Sequence, residues 1–150
     1  MKILIDTREK NPLTFSHKLV SETIITTLNA GDYCAQWENG DLAHTVFERK
    51  TINDLYGTLS NGYERFRKEI KRVKEAQKQI IIVIEGTLES VCKGCGYSRR
   101  DPDSLVKQLF TLMVKHSVIF VCCGSRAEMS RYIVEYYAAH ARMKVAKNKD

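Results

Sequence analysis

No apolar run in this chain comes near the ~20 residues that a membrane-spanning helix requires. The longest, Ile80 to Ile84 and Val118 to Cys123, have the length of strands, so a soluble protein with no membrane partner is expected. The start lacks the apolar core and small-residue cleavage site of a secretory leader, because Met1 leads within two residues into the strand-like Ile3-Leu4-Ile5. The 5 cysteines are odd in number and lack the dense spacing of a disulfide scaffold, which predicts free thiols in a reducing compartment. Metal-ligand spacing is nearly absent as well: His17, His44, His116 and His140 are scattered, and Cys92-Lys93-Gly94-Cys95 is a lone CxxC. Cys122 and Cys123 could complete a zinc set only if both pointed at one ion, which consecutive strand residues do not readily do. Ordinary thiols are therefore the expectation at Cys92 and Cys95. There is no internal repeat and no low-complexity segment.

What is present is enough apolar material for one core: 150 residues, 43% hydrophobic, read as a single domain over 1–150 with a basic tail from about 143 to 150 expected to be disordered. The formal charge is +6, and it is concentrated, since Glu64 to Lys78 holds seven Lys/Arg against three Glu. Such a cluster suits a polyanion, nucleic acid above all. It equally suits a solvated helix face carrying pairs such as Glu64 with Lys68 and Arg65 with Glu69.

The periodicity changes along the chain. Lys2 to Asp6 reads as a buried strand, followed by a charged loop that Pro12 keeps from becoming helical. Glu22 to Leu28 is rich in β-branched residues, Tyr33 to Trp37 follows a turn, and Leu42 to Arg49 returns after the hairpin signal Asn39-Gly40, which together predict a strand meander ending at Glu48. A strand feeding directly into a helix is expected at Ile52, with Thr51 or Asn53 near its start. Tyr63, Phe66, Ile70 and Val73 recur at helical intervals. Gln79 to Glu85 and Ser117 to Cys122 are continuous apolar strands, separated by a helix near Asp103 to His116 that Asp101-Pro102 announces. A last helix runs from Ser125 to about Arg142, where Tyr132, Tyr136 and Tyr137 serve either the core or a dimer interface. The predicted class is α/β, a mixed central sheet flanked by helices on both faces.

Three acids stand where apolar strands begin or end: Asp6, Asp32 and Glu48. Carboxylates gathered in a cleft raise one another's pKa, a grouping that a hard divalent ion such as Mg²⁺ would neutralise. Glu48 and Lys50 lie two apart on a strand end, so they share a face while Arg49 points away. That set suits phosphodiester hydrolysis, with Lys50 stabilising charge on the phosphate or positioning a nucleophile. Glu85 also ends a strand, where a solvated terminus is the simpler reading.

In order, Asp6-x-Arg8-Glu9, Gly31-Asp32-Tyr33 and Glu48-Arg49-Lys50-x-x-x-Asp54 resemble the nuclease domain of the XPF-type (ERCC4-domain) structure-specific endonucleases, a branch of the restriction-endonuclease-like PD-(D/E)XK fold. The likeness continues through Leu55, Gly57, Leu59, Gly62, Arg65 and Phe66 and covers nearly the whole chain, with the short spacings of small stand-alone bacterial and phage members. The resemblance implies a restriction-endonuclease-like sheet, a DNA endonuclease dependent on Mg²⁺ or Mn²⁺, Asp32 and Glu48 as metal ligands with Asp6 a further active-site acid, and Lys50 as the catalytic lysine. Arg8, Glu9, Arg49 and Asp54 would support the site. It further implies homodimers, branched or junction DNA as substrate in repair, recombination or phage DNA metabolism, and a partner protein that supplies specificity. The location follows the host: cytoplasm for a bacterial or phage protein, nucleus for a eukaryotic one. Many relatives carry a tandem helix-hairpin-helix domain that grips branched DNA, and none is expected within these 150 residues.

DNA contacts are expected from Arg65, Arg67, Lys68, Lys71 and Arg72 on the basic helix. Arg99 and Arg100 follow Tyr97 in a loop that could hold phosphates and a base or could simply be solvated. The competing functional reading is a nuclease-like DNA-binding or scaffold module whose catalysis is unused. RNA as substrate is a further alternative.

Overall fold

The computed structural model describes residues 1–147, and side chains as far as residue 143. Its elements in order are β1 (Lys2–Asp6), β2 (Glu22–Thr26), β3 (Tyr33–Gln36), β4 (Leu42–Thr51), α1 (Ile52–Leu59), α2 (Tyr63–Glu75), β5 (Gln79–Glu85), α3 (Leu88–Lys93), α4 (Pro102–His116), β6 (Ile119–Cys123) and α5 (Arg126–Lys147). The strands form one mixed six-stranded sheet in the order β2-β1-β3-β4-β5-β6. The predicted α/β class holds.

Strands β4 and β5 lie inside the sheet and are covered on both faces. β5 buries Ile80 through Ile84. On one face of β4, Phe47 meets Tyr136 and Tyr137 of α5 edge-to-face, each with ring centroids 5.3 Å away. The three tyrosines of α5 thus pack inward: Tyr137 is fully buried, and Tyr132 and Tyr136 lie against the same core. The other face of β4 carries Glu48 and Lys50 toward α2, whose Phe66, Ile70 and Val73 are buried.

The hairpin at Asn39-Gly40 joins β3 to β4, with Gly40 at φ +87°. The expected meander is wrong at its first strand. β2 does not pair with β3; it lies at the sheet edge, parallel to β1, and β3 fits between β1 and β4. Its burial pattern fits that place: no residue of β2 is fully buried, and Ile25 is 69% exposed. Short helix α3, for which the sequence pattern predicted no element, is capped by Thr87, whose side chain accepts from Ser90 N. α5 continues past the expected end near Arg142 to Lys147. The predicted disordered tail overlaps this helix that far, and its remainder lies outside the described residues.

Candidate functional site

Gly31 adopts φ +72°, and a Cβ there would stand 2.9 Å from Phe47 O, so glycine alone lets the chain pass this close to β4. Asp32 follows, its N–H donating to Phe47 O at 2.7 Å and its Oδ2 accepting from Arg49 N at 2.8 Å. The aspartate is thereby stitched to β4 beside the residues that the i, i+2 rule brings to one face, Glu48 and Lys50. Lys50 Nζ donates to Glu48 Oε1 at 3.0 Å, with both side chains largely withdrawn from solvent.

These three line one cleft of about 320 Å³. Arg8, Arg65 and Arg72 also line it, and so does Glu69 of α2. Burial pushes the Asp32 carboxyl up to about 7, and the charge of Glu48 adds to that; the Arg49 N–H bond opposes it. Burial likewise raises Glu48, against the pull of Lys50. Two adjacent carboxylates held this way have too few donors for their charge, and that deficit is what a divalent cation supplies. Their oxygens fit Mg²⁺ or Mn²⁺, which commonly binds through one or two carboxylates plus water and substrate phosphate.

Asp6 is not brought into that cleft. It is 1% exposed. Its oxygens accept from Leu28 N at 2.7 Å, Arg8 N at 2.9 Å and the Arg8 guanidinium at 2.6 and 3.2 Å. Burial alone would raise its pKa, but the bonds from Arg8 and Leu28 outweigh it, so the group stays below the usual carboxylate range. Its evident work is to hold Arg8, which lines the cleft. Among the described residues no three or more His, Cys, Asp or Glu side chains are arranged to hold a metal. Cys95 Sγ instead donates to Asn53 Oδ1, and Cys92 is exposed on α3.

Glu9 and Arg49 meet on the opposite face of β4. Arg49 Nε and Nη2 donate to the two Glu9 oxygens at 2.9 and 3.1 Å, and Nη1 reaches Glu85 Oε2 at 3.3 Å. Tyr33 OH adds a bond to Glu9 at 3.3 Å, and Arg126 of α5 holds the carbonyls of Asn11 and Pro12. Glu85 is therefore part of an ion network behind the site and not a bare strand terminus. Asp54 has a capping role: Thr51 is the N-cap of α1, Asp54 N donates to Thr51 Oγ1, and Asp54 Oδ2 accepts from Thr51 N and Oγ1.

The expected DNA-contacting residues divide. Arg65 and Arg72 border the cleft, whereas Arg67, Lys68 and Lys71 line a separate groove on the other side of α2. The ion pairs of this helix are Arg67 with Glu64 and Lys71 with Glu75, not the expected Glu64 with Lys68 and Arg65 with Glu69, which leaves Glu69 turned to the cleft. Arg100 Nη1 donates to Leu59 O and so anchors its loop to the end of α1, while Arg99 and Tyr97 stay exposed. Glu69 is the acid that sequence reasoning missed. Its position one step off the Phe66-Ile70-Val73 stripe, between Arg65 and Arg72 on the same flank, was the available signal.

No curated protein matches the chain. Among solved structures it is similar to XPF from Aeropyrum pernix at 19% identity, with TM-score 0.68, covering 99% of this chain and 69% of that one. It is also similar to the Aeropyrum pernix XPF in complex with DNA, at 19% identity with TM-score 0.70, covering 94% of this chain and 65% of that one. These likenesses place the sheet and its helices in the same fold. The model of the ERCC4 domain matches residues 5–136, from the end of β1 into α5 and across every residue of the cleft, and the chain belongs to the ERCC4 domain family.

Proposed function

We propose that the protein is a divalent-metal-dependent DNA endonuclease that hydrolyses phosphodiester bonds at branched or single-strand/double-strand junction DNA. The observation that carries this reading is the partly buried pair Asp32 and Glu48, bonded through Glu48 to Lys50, in a cleft rimmed by Arg8, Arg65 and Arg72. DNA as substrate is supported by family membership and by the similar Aeropyrum pernix XPF having been captured with DNA.

Asp32 and Glu48 are the residues to hold Mg²⁺ or Mn²⁺. When bound, the ion supplies Lewis-acid polarisation of the scissile phosphate and of water. The chain's own groups do the rest. Arg8, Arg65 and Arg72 attract the backbone phosphates and set its path. Lys50, held beside Glu48, would place its ammonium against the charge that develops on the phosphate. Arg49 N–H fixes the orientation of Asp32. Asp6 is a positioning residue for Arg8, and Glu9 with Arg49 braces the strand end from behind.

A homodimer would double the DNA-contacting surface, and Phe110 and Val114, one turn apart on α4 and exposed, are apolar surface available for it. A partner protein that supplies junction specificity belongs to the same proposal, as do roles in repair, recombination or phage DNA metabolism. The intact carboxylates and lysine argue against an unused scaffold domain, since an unneutralised buried pair costs stability.

The test is a panel of labelled flap, fork, duplex and single-stranded DNA, with matched RNA, incubated with Mg²⁺, Mn²⁺ or chelator. Cleavage of a branched DNA that needs metal and is lost in Glu48→Gln supports the proposal. Binding without cleavage under every condition would leave the scaffold reading standing, and preferential RNA cleavage would change the substrate.

A further inference from the structure

Helix α2 is basic on two sides, and only one of them faces the cleft. At about 100° per residue, the buried Phe66, Ile70 and Val73 define a stripe toward the sheet. Arg65, Glu69 and Arg72 fall roughly 60–120° to one side of it, and Arg67, Lys71 and Lys74 roughly 80–140° to the other. The structure agrees with that division. The first set lines the cleft of Asp32 and Glu48, and the second lines an open groove of about 470 Å³ that His116, at the end of α4, also borders.

The groove is positive in spite of its two glutamates. Glu64 and Glu75 pair with Arg67 and Lys71 at 3.3 and 3.7 Å, but these pairs are exposed, worth little, and easily given up to a phosphate. Lys68 and Lys74 make no ion pair among the described residues. The His116 imidazole is held below its ordinary pKa by burial and by Lys74, Lys115 and Arg67, the mark of cations crowding one ring.

We infer that this groove is a second phosphate track, which takes the uncut strand of a duplex arm while the cleft takes the strand to be cleaved. A helix with its side chains is about 10–12 Å across, close to the roughly 12 Å width of the B-DNA major groove, so cations on its two flanks meet the two phosphate rows that border such a groove. Single-stranded DNA has only one row to offer. The inference rests on the nuclease reading for the identity of the cleft strand. It adds to that reading a structural reason for preferring substrates with a double-stranded arm, located in Arg67, Lys71 and Lys74 and separate from the metal-binding pair.

The experiment compares binding of a duplex of about 20 base pairs with that of a single strand of the same length across a salt series, by fluorescence anisotropy. It is done in the Glu48→Gln background so that cleavage does not intervene. Arg67→Ala/Lys71→Ala/Lys74→Ala should make the duplex salt slope shallower by about 2–3, at roughly 0.9 per lost phosphate contact, and weaken duplex affinity at least about tenfold. Single-strand affinity should stay within about twofold. Lys71→Arg/Lys74→Arg, with an unchanged circular dichroism melt, should keep wild-type slopes. An unaltered duplex slope, or equal losses on both ligands, overturns the inference. Because the readout is binding, a protein that cuts nothing in the substrate panel defeats the nuclease reading without obscuring this result.

Discussion

Replacing Asp32 by Asn removes a charge that the fold holds at a cost, so in chelator the variant should melt above the wild type. The sign follows from linkage. The Asp32 carboxyl titrates near 3.8 in an unfolded chain and at about 7 in the folded one. Its contribution is therefore complete below the first value and lost as the pH rises through the second. Metal-free protein should lose stability, on the order of a few kcal/mol, between about pH 4 and pH 7, and Asp32→Asn should lose less. Glu48 shifts in the same direction. His116, depressed by burial and its cations, works the opposite way below its ordinary value, so the difference between wild type and variant is the quantity to read. Identical pH dependence in the two would mean that Asp32 carries no such penalty. For function, Lys50→Ala and Glu48→Gln should each lower the cleavage rate by at least about 10²-fold with folding retained, because charge stabilisation at the reacting phosphate is worth that much. A Lys50→Ala enzyme that cuts at the normal rate would remove Lys50 from the chemistry.

At the scale of the element, the strand-to-helix junction at β4 and α1 does two separable jobs. Asp54 closes the capping box with Thr51, so Asp54→Ala should cost about 0.5–2 kcal/mol in a thermal or denaturant melt while the rate per folded molecule changes little. A large rate loss with an unchanged melt would place Asp54 in the site instead. Arg49 is more deeply committed, its side chain 10% exposed against Glu9 at 5%. Arg49→Ala leaves Glu9 uncompensated and should destabilise the protein by about 3–5 kcal/mol, read as a lowered denaturation midpoint. This junction was legible in the sequence because the i, i+2 alternation of a strand is rigid: Glu48 and Lys50 had to share a face. The role of Glu85 was not legible, since its partner Arg49 comes from the neighbouring strand and only the β4–β5 register brings them together. The bonding of Asp6 was hidden for a related reason. Its place at the end of β1 suits a ligand, but the donors that absorb its charge include Leu28 N, more than twenty residues away in the chain.

For the molecule as a whole, the α/β class and most element positions followed from periodicity, because buried β5 and amphipathic α2 each leave an unambiguous pattern. The insertion of β3 between β1 and β4 did not, since strand order depends on which faces find cover and sequence adjacency favours a simple meander. The same assembly brings the cleft together from β4, the Gly31-Asp32 turn, the loop after β1 and α2, so the site exists only when the sheet does. The most direct measurement is the melting temperature of the protein titrated with Mn²⁺ in the absence of DNA. Wild type should gain stability as RT ln(1 + [Mn²⁺]/Kd), while Asp32→Asn and Glu48→Gln start from a higher metal-free value and gain little. Equal metal-induced gains in all three proteins, or none in the wild type, would contradict the assignment of these two carboxylates as the ion's ligands.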